Sequence, residues 1–173
     1  KRINSDIKSI QGEVNLFHTF KDDSELSTKA YYFQSERGLP GSVILYNNES
    51  DERLWDKNFF AQAKYKKVFS PQWTLQAQGK YNYSWNKYED TGVEYVGGKQ
   101  TDTNRQQEYY LSAAVLYRPI QGLSLSLAQD GFINQLHTNG INSPEPIRYT
   151  LLTALNARYQ WERVKLSGSL VAT

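Results

Sequence analysis

From Trp73 to Trp85 the chain reads Trp-Thr-Leu-Gln-Ala-Gln-Gly-Lys-Tyr-Asn-Tyr-Ser-Trp, with apolar, aromatic or Gly residues at every odd position and polar residues at every even one. A period of two marks a β-strand, whose successive side chains point to opposite faces. The run is more than twice the length of a common strand of about 5–6 residues. A strand this long, apolar on one side and rich in Gln, Asn and Lys on the other, suits a transmembrane β-barrel with lipid outside and water inside. Trp73 and Tyr83 share the apolar parity and bracket Leu75, Ala77, Gly79 and Tyr81. At roughly 3.3 Å per residue and a tilt of about 40°, their separation rises about 25 Å, the height of a lipid-facing band between two aromatic girdles.

The spacing recurs. Phe59 and Phe69 bracket Ala61, Ala63 and Tyr65; Tyr109 and Tyr117 bracket Leu111, Ala113 and Val115; Tyr149 and Tyr159 bracket Leu151, Thr153, Leu155 and Ala157. The opposite parity carries Gln62, Lys64, Ser112, Thr150, Asn156 and Arg158. The pattern predicts strands over 10–20, 26–36, 58–69, 73–88, 107–118, 123–135, 148–161 and 164–173, an all-β antiparallel up-and-down meander forming part of a transmembrane barrel. Connections alternate between short and long, as in outer-membrane barrels with short periplasmic turns and long outer loops. Ser70-Pro71-Gln72 and Arg118-Pro119-Ile120-Gln121-Gly122 read as compact breakers. Three stretches are ambiguous. Asp130-Gly131 inside 123–135 signals a hairpin, hence two short strands or one long strand with a bulge. Trp55, Phe59 and Ala63 also fit a helix over 51–69, although the odd-position pattern through Phe69 favours a strand. Lys1 to Ser9 join no clear element.

Composition narrows the classes. The chain has 173 residues and a formal net charge of +2, which implies neither nucleic acid nor an anionic membrane surface as a partner. Mean hydropathy is −0.69, which does not exclude a barrel, because alternating strands average out as polar. Aromatics reach 14%, including 13 Tyr and 4 Trp, residues suited to membrane interfaces and also to sugar-binding faces. The rival to the barrel is therefore a soluble secreted β-sandwich that binds carbohydrate. With no Cys there is no disulfide framework or thiolate metal site, and with no Met and no leader at Lys1 the chain reads as an internal piece of a longer protein.

Candidate chemistry is sparse. His18 and His137 lie in different segments, with no metal-ligand spacing. No nucleophile motif, phosphate loop or dinucleotide fingerprint occurs, so no catalytic residue, cofactor site or metal site is predicted and the chain is not expected to be an enzyme. Asn48-Glu-Ser50 and Asn82-Tyr-Ser84 match the glycosylation sequon. Glu49, Asp51, Glu52, Glu89, Asp90 and Asp102 offer oxygens of the kind Ca²⁺ takes, without EF-hand spacing; solvated loop charge is the simpler reading. Tyr46, Trp55, Tyr88 and Tyr95 are the loop aromatics available to touch a ligand.

Tyr31-Tyr-Phe-Gln-Ser-Glu-Arg-Gly-Leu-Pro-Gly41, Arg53-Leu-Trp-Asp-Lys-Asn-Phe-Phe60, Phe69-Ser-Pro-Gln-Trp73 and Gly79-Lys-Tyr-Asn-Tyr83 resemble the barrel of TonB-dependent outer-membrane receptors of Bacteroidetes type. The Ser-Glu-Arg-Gly-Leu-Pro-Gly stretch, Leu127-Ala-Gln-Asp-Gly-Phe132 and Pro146-Ile-Arg-Tyr149 are similar to receptors usually labelled cobalamin receptors. The resemblance covers nearly all of 10–173 and lies in the whole pattern. It implies a bacterial outer-membrane location and a larger barrel plugged by a separate domain, with TonB reached through other parts of the parent protein. It also implies import of a large, scarce nutrient, vitamin B12 (a corrinoid) being the ligand the label names. No ligand-binding residue carries over, and residues 1–173 are expected to be one barrel segment without a plug domain.

Overall fold

The computed structural model describes residues 3–41, 50–91, 97–140 and 145–173. They form eight strands: β1 (Ile7–Thr19), β2 (Glu25–Gly38), β3 (Arg53–Val68), β4 (Trp73–Asp90), β5 (Gln100–Tyr117), β6 (Leu123–Thr138), β7 (Ile147–Trp161) and β8 (Val164–Ala172). The strands make one sheet in the order β1-β2-β3-β4-β5-β6-β7-β8, each antiparallel to the next. The predicted meander is present. β1 and β8 make no contact with each other, so the sheet is open.

Several boundaries and alternatives are corrected. Residues 53–68 are strand, so the helical option over 51–69 does not hold. β3 starts at Arg53 rather than 58, β5 at Gln100 rather than 107, β4 runs on to Asp90, and β6 to Thr138. These extensions lie at the long-loop ends, where both faces meet polar surroundings and the period of two disappears. β1 begins at Ile7, within the stretch assigned to no element. Neither the hairpin nor the bulge exists at Asp130-Gly131: β6 pairs with β5 and β7 without a break. Gly131 sits between Leu111 and Leu151, and Asp130 accepts a hydrogen bond from the Tyr110 hydroxyl. A sandwich needs a second layer over a core; the described residues form a single layer, and no hydrophobic side chain among them is buried.

The short turns are built by local chemistry. At 20–24, Ser24 is buried and its hydroxyl donates to Asp22 Oδ1 at 2.7 Å. Lys67 Nζ donates to Asp22 Oδ2 at 2.6 Å, and Asp23 takes a positive φ of 57°. At 69–72, Ser70 Oγ accepts from the amides of Gln72 and Trp73, both at 3.2 Å. Gly122 has φ 85°, and a Cβ there would lie 2.3 Å from the Gln160 carbonyl oxygen. At the opposite rim Asn4 closes the β2–β3 connection, donating from Nδ2 to the carbonyls of Leu39 at 3.1 Å and Glu52 at 2.7 Å.

Two outcomes follow from these turns. Gly122→Ala combines a left-handed backbone, costing about 1–2 kcal/mol for a residue with Cβ, with a clash against backbone that cannot rotate away. We expect lower thermal stability in detergent micelles, whereas an unchanged melting temperature would contradict this turn geometry. The Lys67 ammonium, seconded by Ser24, holds the Asp22 carboxyl below its ordinary range. A depressed carboxyl stabilises the fold above its unfolded pKa of about 3.9 and loses that contribution as pH falls through the folded value. Protection of the Ser24 amide from hydrogen exchange should therefore persist at pH 5 and fade only in stronger acid, and Asp22→Ala, which deletes the acceptor, should remove it at every pH.

Candidate functional site

The uninterrupted registers sort the chain into two faces. One carries Val14, Leu16, Ala30, Ala61, Ala63, Leu75, Ala77, Leu111, Ala113, Val115, Leu127, Leu151, Leu155, Ala157 and Leu170. The other carries Gln62, Lys64, Gln76, Gln78, Lys80, Ser112, Asn156 and Arg158. Along β5 and β6 exposure is inverted relative to a protein folded in water, whereas Gln62, Lys64, Asn156 and Arg158 on the polar face of β3 and β7 are themselves exposed. Leu111 is 72% exposed, Leu151 69% and Leu170 73%, while Gln78, Lys80, Ser112 and Asp130 are half-buried. Along β5, Tyr109, Leu111 and Ala113 are exposed and Tyr110, Ser112 and Ala114 are not, as on the outside and inside of a curved wall.

Aromatic rings border the apolar face at both ends. Toward the short turns, Trp73 stacks on Tyr117 at 4.2 Å, and Phe20 meets His18 at 4.5 Å and Tyr65 at 6.4 Å. Toward the long loops, Tyr81 meets Tyr109 at 5.0 Å and Phe59 at 6.4 Å. Three of the phenols there lean outward from the band. Tyr32 donates to Gln34 Oε1 at 2.7 Å, and Tyr109 and Tyr81 donate to Gln107 Oε1 at 3.1 and 3.3 Å. In each case the Gln lies nearer the long loops than the ring does. A ring in apolar surroundings with its hydroxyl aimed at a polar neighbour is the interfacial habit of Tyr. Inside the band the large polar side chain is Gln129, satisfied by Thr153 Oγ1, which donates at 2.6 Å, and by the Leu152 carbonyl at 3.1 Å.

The polar face holds an organised cluster that parity alone did not predict. Tyr31 stacks on Phe60 at 5.2 Å, and the ammonium groups of Lys29 and Lys80 approach the Phe60 ring at 5.8 and 5.3 Å. Lys29 also pairs with Glu13 at 2.7 Å. Gln78 Nε2 donates to the Tyr110 hydroxyl at 2.9 Å, which donates to Asp130 Oδ1 at 3.1 Å, while the Tyr110 ring meets Phe132 at 4.6 Å. The signal in the sequence is aromatics at the polar parity, Phe60, Tyr110 and Phe132. A hollow of about 350 Å³ opens here, lined by Lys29, Gln62, Lys64, Lys80 and Tyr110 among others. Such a surface presents hydrogen-bonding groups and positive charge.

The loop candidates do not assemble. Trp55 and Tyr88 are strand residues on opposite faces, and Tyr46 and Tyr95 lie outside the described residues. Glu89 pairs with Lys87 at 2.7 Å and Lys99 at 3.4 Å; Asp102 accepts from Gln100 at 2.7 Å; Asp51 accepts from the Thr91 hydroxyl. Glu49 and Asn48 lie outside the described residues, and among those described no group of three or more His, Cys, Asp or Glu is placed to hold a metal. His18 lies at the short-turn margin and His137, in contact with Glu145, near the long loops. Asn82 and Ser84 of the second sequon lie inside β4. No family model matches this chain, and no curated protein matches it.

Proposed function

We propose that this sheet is a section of the wall of an outer-membrane β-barrel, in a TonB-dependent receptor that imports a large, scarce nutrient. The observation that carries the reading is a continuous apolar face bordered at both ends by aromatic rings, with exposure inverted along β5 and β6, where the apolar side chains are exposed and the opposite ones half-buried. Lipid is the solvent such a face requires. The free edges of β1 and β8 cannot stand in hydrocarbon, so further strands complete the barrel. Its interior wall contributes binding contacts and no covalent step. The Ser35–Gly41 and Leu127–Phe132 similarities favour a corrinoid as cargo, and TonB acts through other parts of the same protein.

Replacing one residue on each face tests this. Ala77→Arg, at mid-height on the apolar face, should cost about 2–4 kcal/mol of folding free energy in liposomes, and Gln78→Arg, one residue on, should cost far less. Equal losses would count against a lipid-facing side. A corrinoid that fails to bind the purified receptor would remove the cargo and leave the barrel standing.

A further inference from the structure

On the apolar face the girdle at the long-loop margin ends with Phe59 opposite Tyr83. The next two rungs upward are Lys57 opposite Trp85 and Trp55 opposite Lys87. Each cation lies on the indole across from it, Lys57 Nζ at 5.1 Å and Lys87 Nζ at 4.7 Å from the ring centres. Arg105, exposed, faces Trp85 from β5. Three cations and two indoles thus form one patch directly above the lipid band. Two carboxylates share this face at the same height, Glu89 paired to Lys87 and Glu36 paired to Arg53, which leaves Lys57 and Arg105 as the patch's uncompensated charge.

We propose that this patch binds the phosphate of a membrane-lipid headgroup in the leaflet on the long-loop side; the inference rests on the barrel reading above. Rings of a girdle sit at the level where hydrocarbon gives way to headgroups. An ammonium resting on an indole still has N–H donors for a phosphate oxygen, and the guanidinium fork of Arg105 matches phosphate with two parallel hydrogen bonds. Lys57 and Arg105 pair with no carboxylate among the described residues. A second copy of the sheet is a poor occupant, because the outward carboxylates at this height, Glu36 and Glu89, are already paired to Arg53 and Lys87, both at 2.8 Å or less.

The receptor carrying this sheet is reconstituted in phosphatidylcholine vesicles with and without phosphatidylglycerol, and retained lipid is counted by native mass spectrometry after detergent extraction. Retention of phosphatidylglycerol is expected, with a higher melting temperature in the anionic vesicles. Lys57→Gln/Lys87→Gln/Arg105→Gln should weaken retention about a hundredfold, at about fivefold for each cation near an anionic surface. Arg105→Gln alone, which disturbs neither indole–cation pair, should lose about fivefold even if the triple variant folds poorly. Arg148→Gln, on the opposite face near the long loops, should change nothing. Equal retention by Arg105→Gln and the unmodified receptor, both resisting carbonate extraction, overturns the patch and leaves the barrel intact. Equal stabilisation by inorganic phosphate in neutral vesicles overturns the lipid as its source. Release of every form by carbonate overturns the barrel, and the patch with it.

Discussion

The backbone ladder runs through all eight strands without a bulge, and the rest of the structure depends on it. Because side chains alternate with a strict period of two, one slipped residue in any pairing would exchange the faces of every strand beyond it. Instead Ala77 meets Ala113, Leu75 meets Val115, and Val115 meets Leu127, which meets Leu155 in turn, so one apolar row crosses four strands in phase. The same ladder satisfies the amides and carbonyls that hydrocarbon leaves without water.

Its consequence is a sheet with no hydrophobic core among the described residues. In water, burial of apolar surface offsets the entropy of ordering the chain. Here no described hydrophobic side chain is buried, and besides Gly38 the buried residues are Ser24, Ser35, Ser50 and Asp90, all polar. Backbone hydrogen bonds, at about 1 kcal/mol net each, do not replace that term in water. In lipid the balance changes: the apolar face loses nothing by exposure, and each unmade backbone bond becomes costly. The polar face is organised by side-chain contacts, with the Phe60 ring approached by Lys29 and Lys80 and the Gln78–Tyr110–Asp130 chain of hydrogen bonds.

The sequence was most legible where the two faces of a strand differ most in polarity. Trp73–Tyr83 and Tyr149–Tyr159 show their alternation plainly because one side is apolar and the other wet. It was silent where both faces are polar: Gln100 to Gln106 contains no apolar residue, yet it is strand, held by pairing with β4. It misled at Asp130-Gly131, where a local turn preference gave way to long-range pairing with β5 and β7. The interior aromatics escaped prediction because a parity rule treats Phe60, Tyr110 and Phe132 as exceptions, and only the register brings them to one side.

The most direct measurement places a nitroxide label at each position from 107 to 117 along β5 in the receptor reconstituted in vesicles and records collisions with oxygen, which concentrates in lipid, and with a water-soluble nickel complex. Odd positions should be accessible to oxygen, peaking near Ala113, and even positions to nickel, out of phase by one residue. Nickel access at odd and even positions alike would contradict a lipid-facing side.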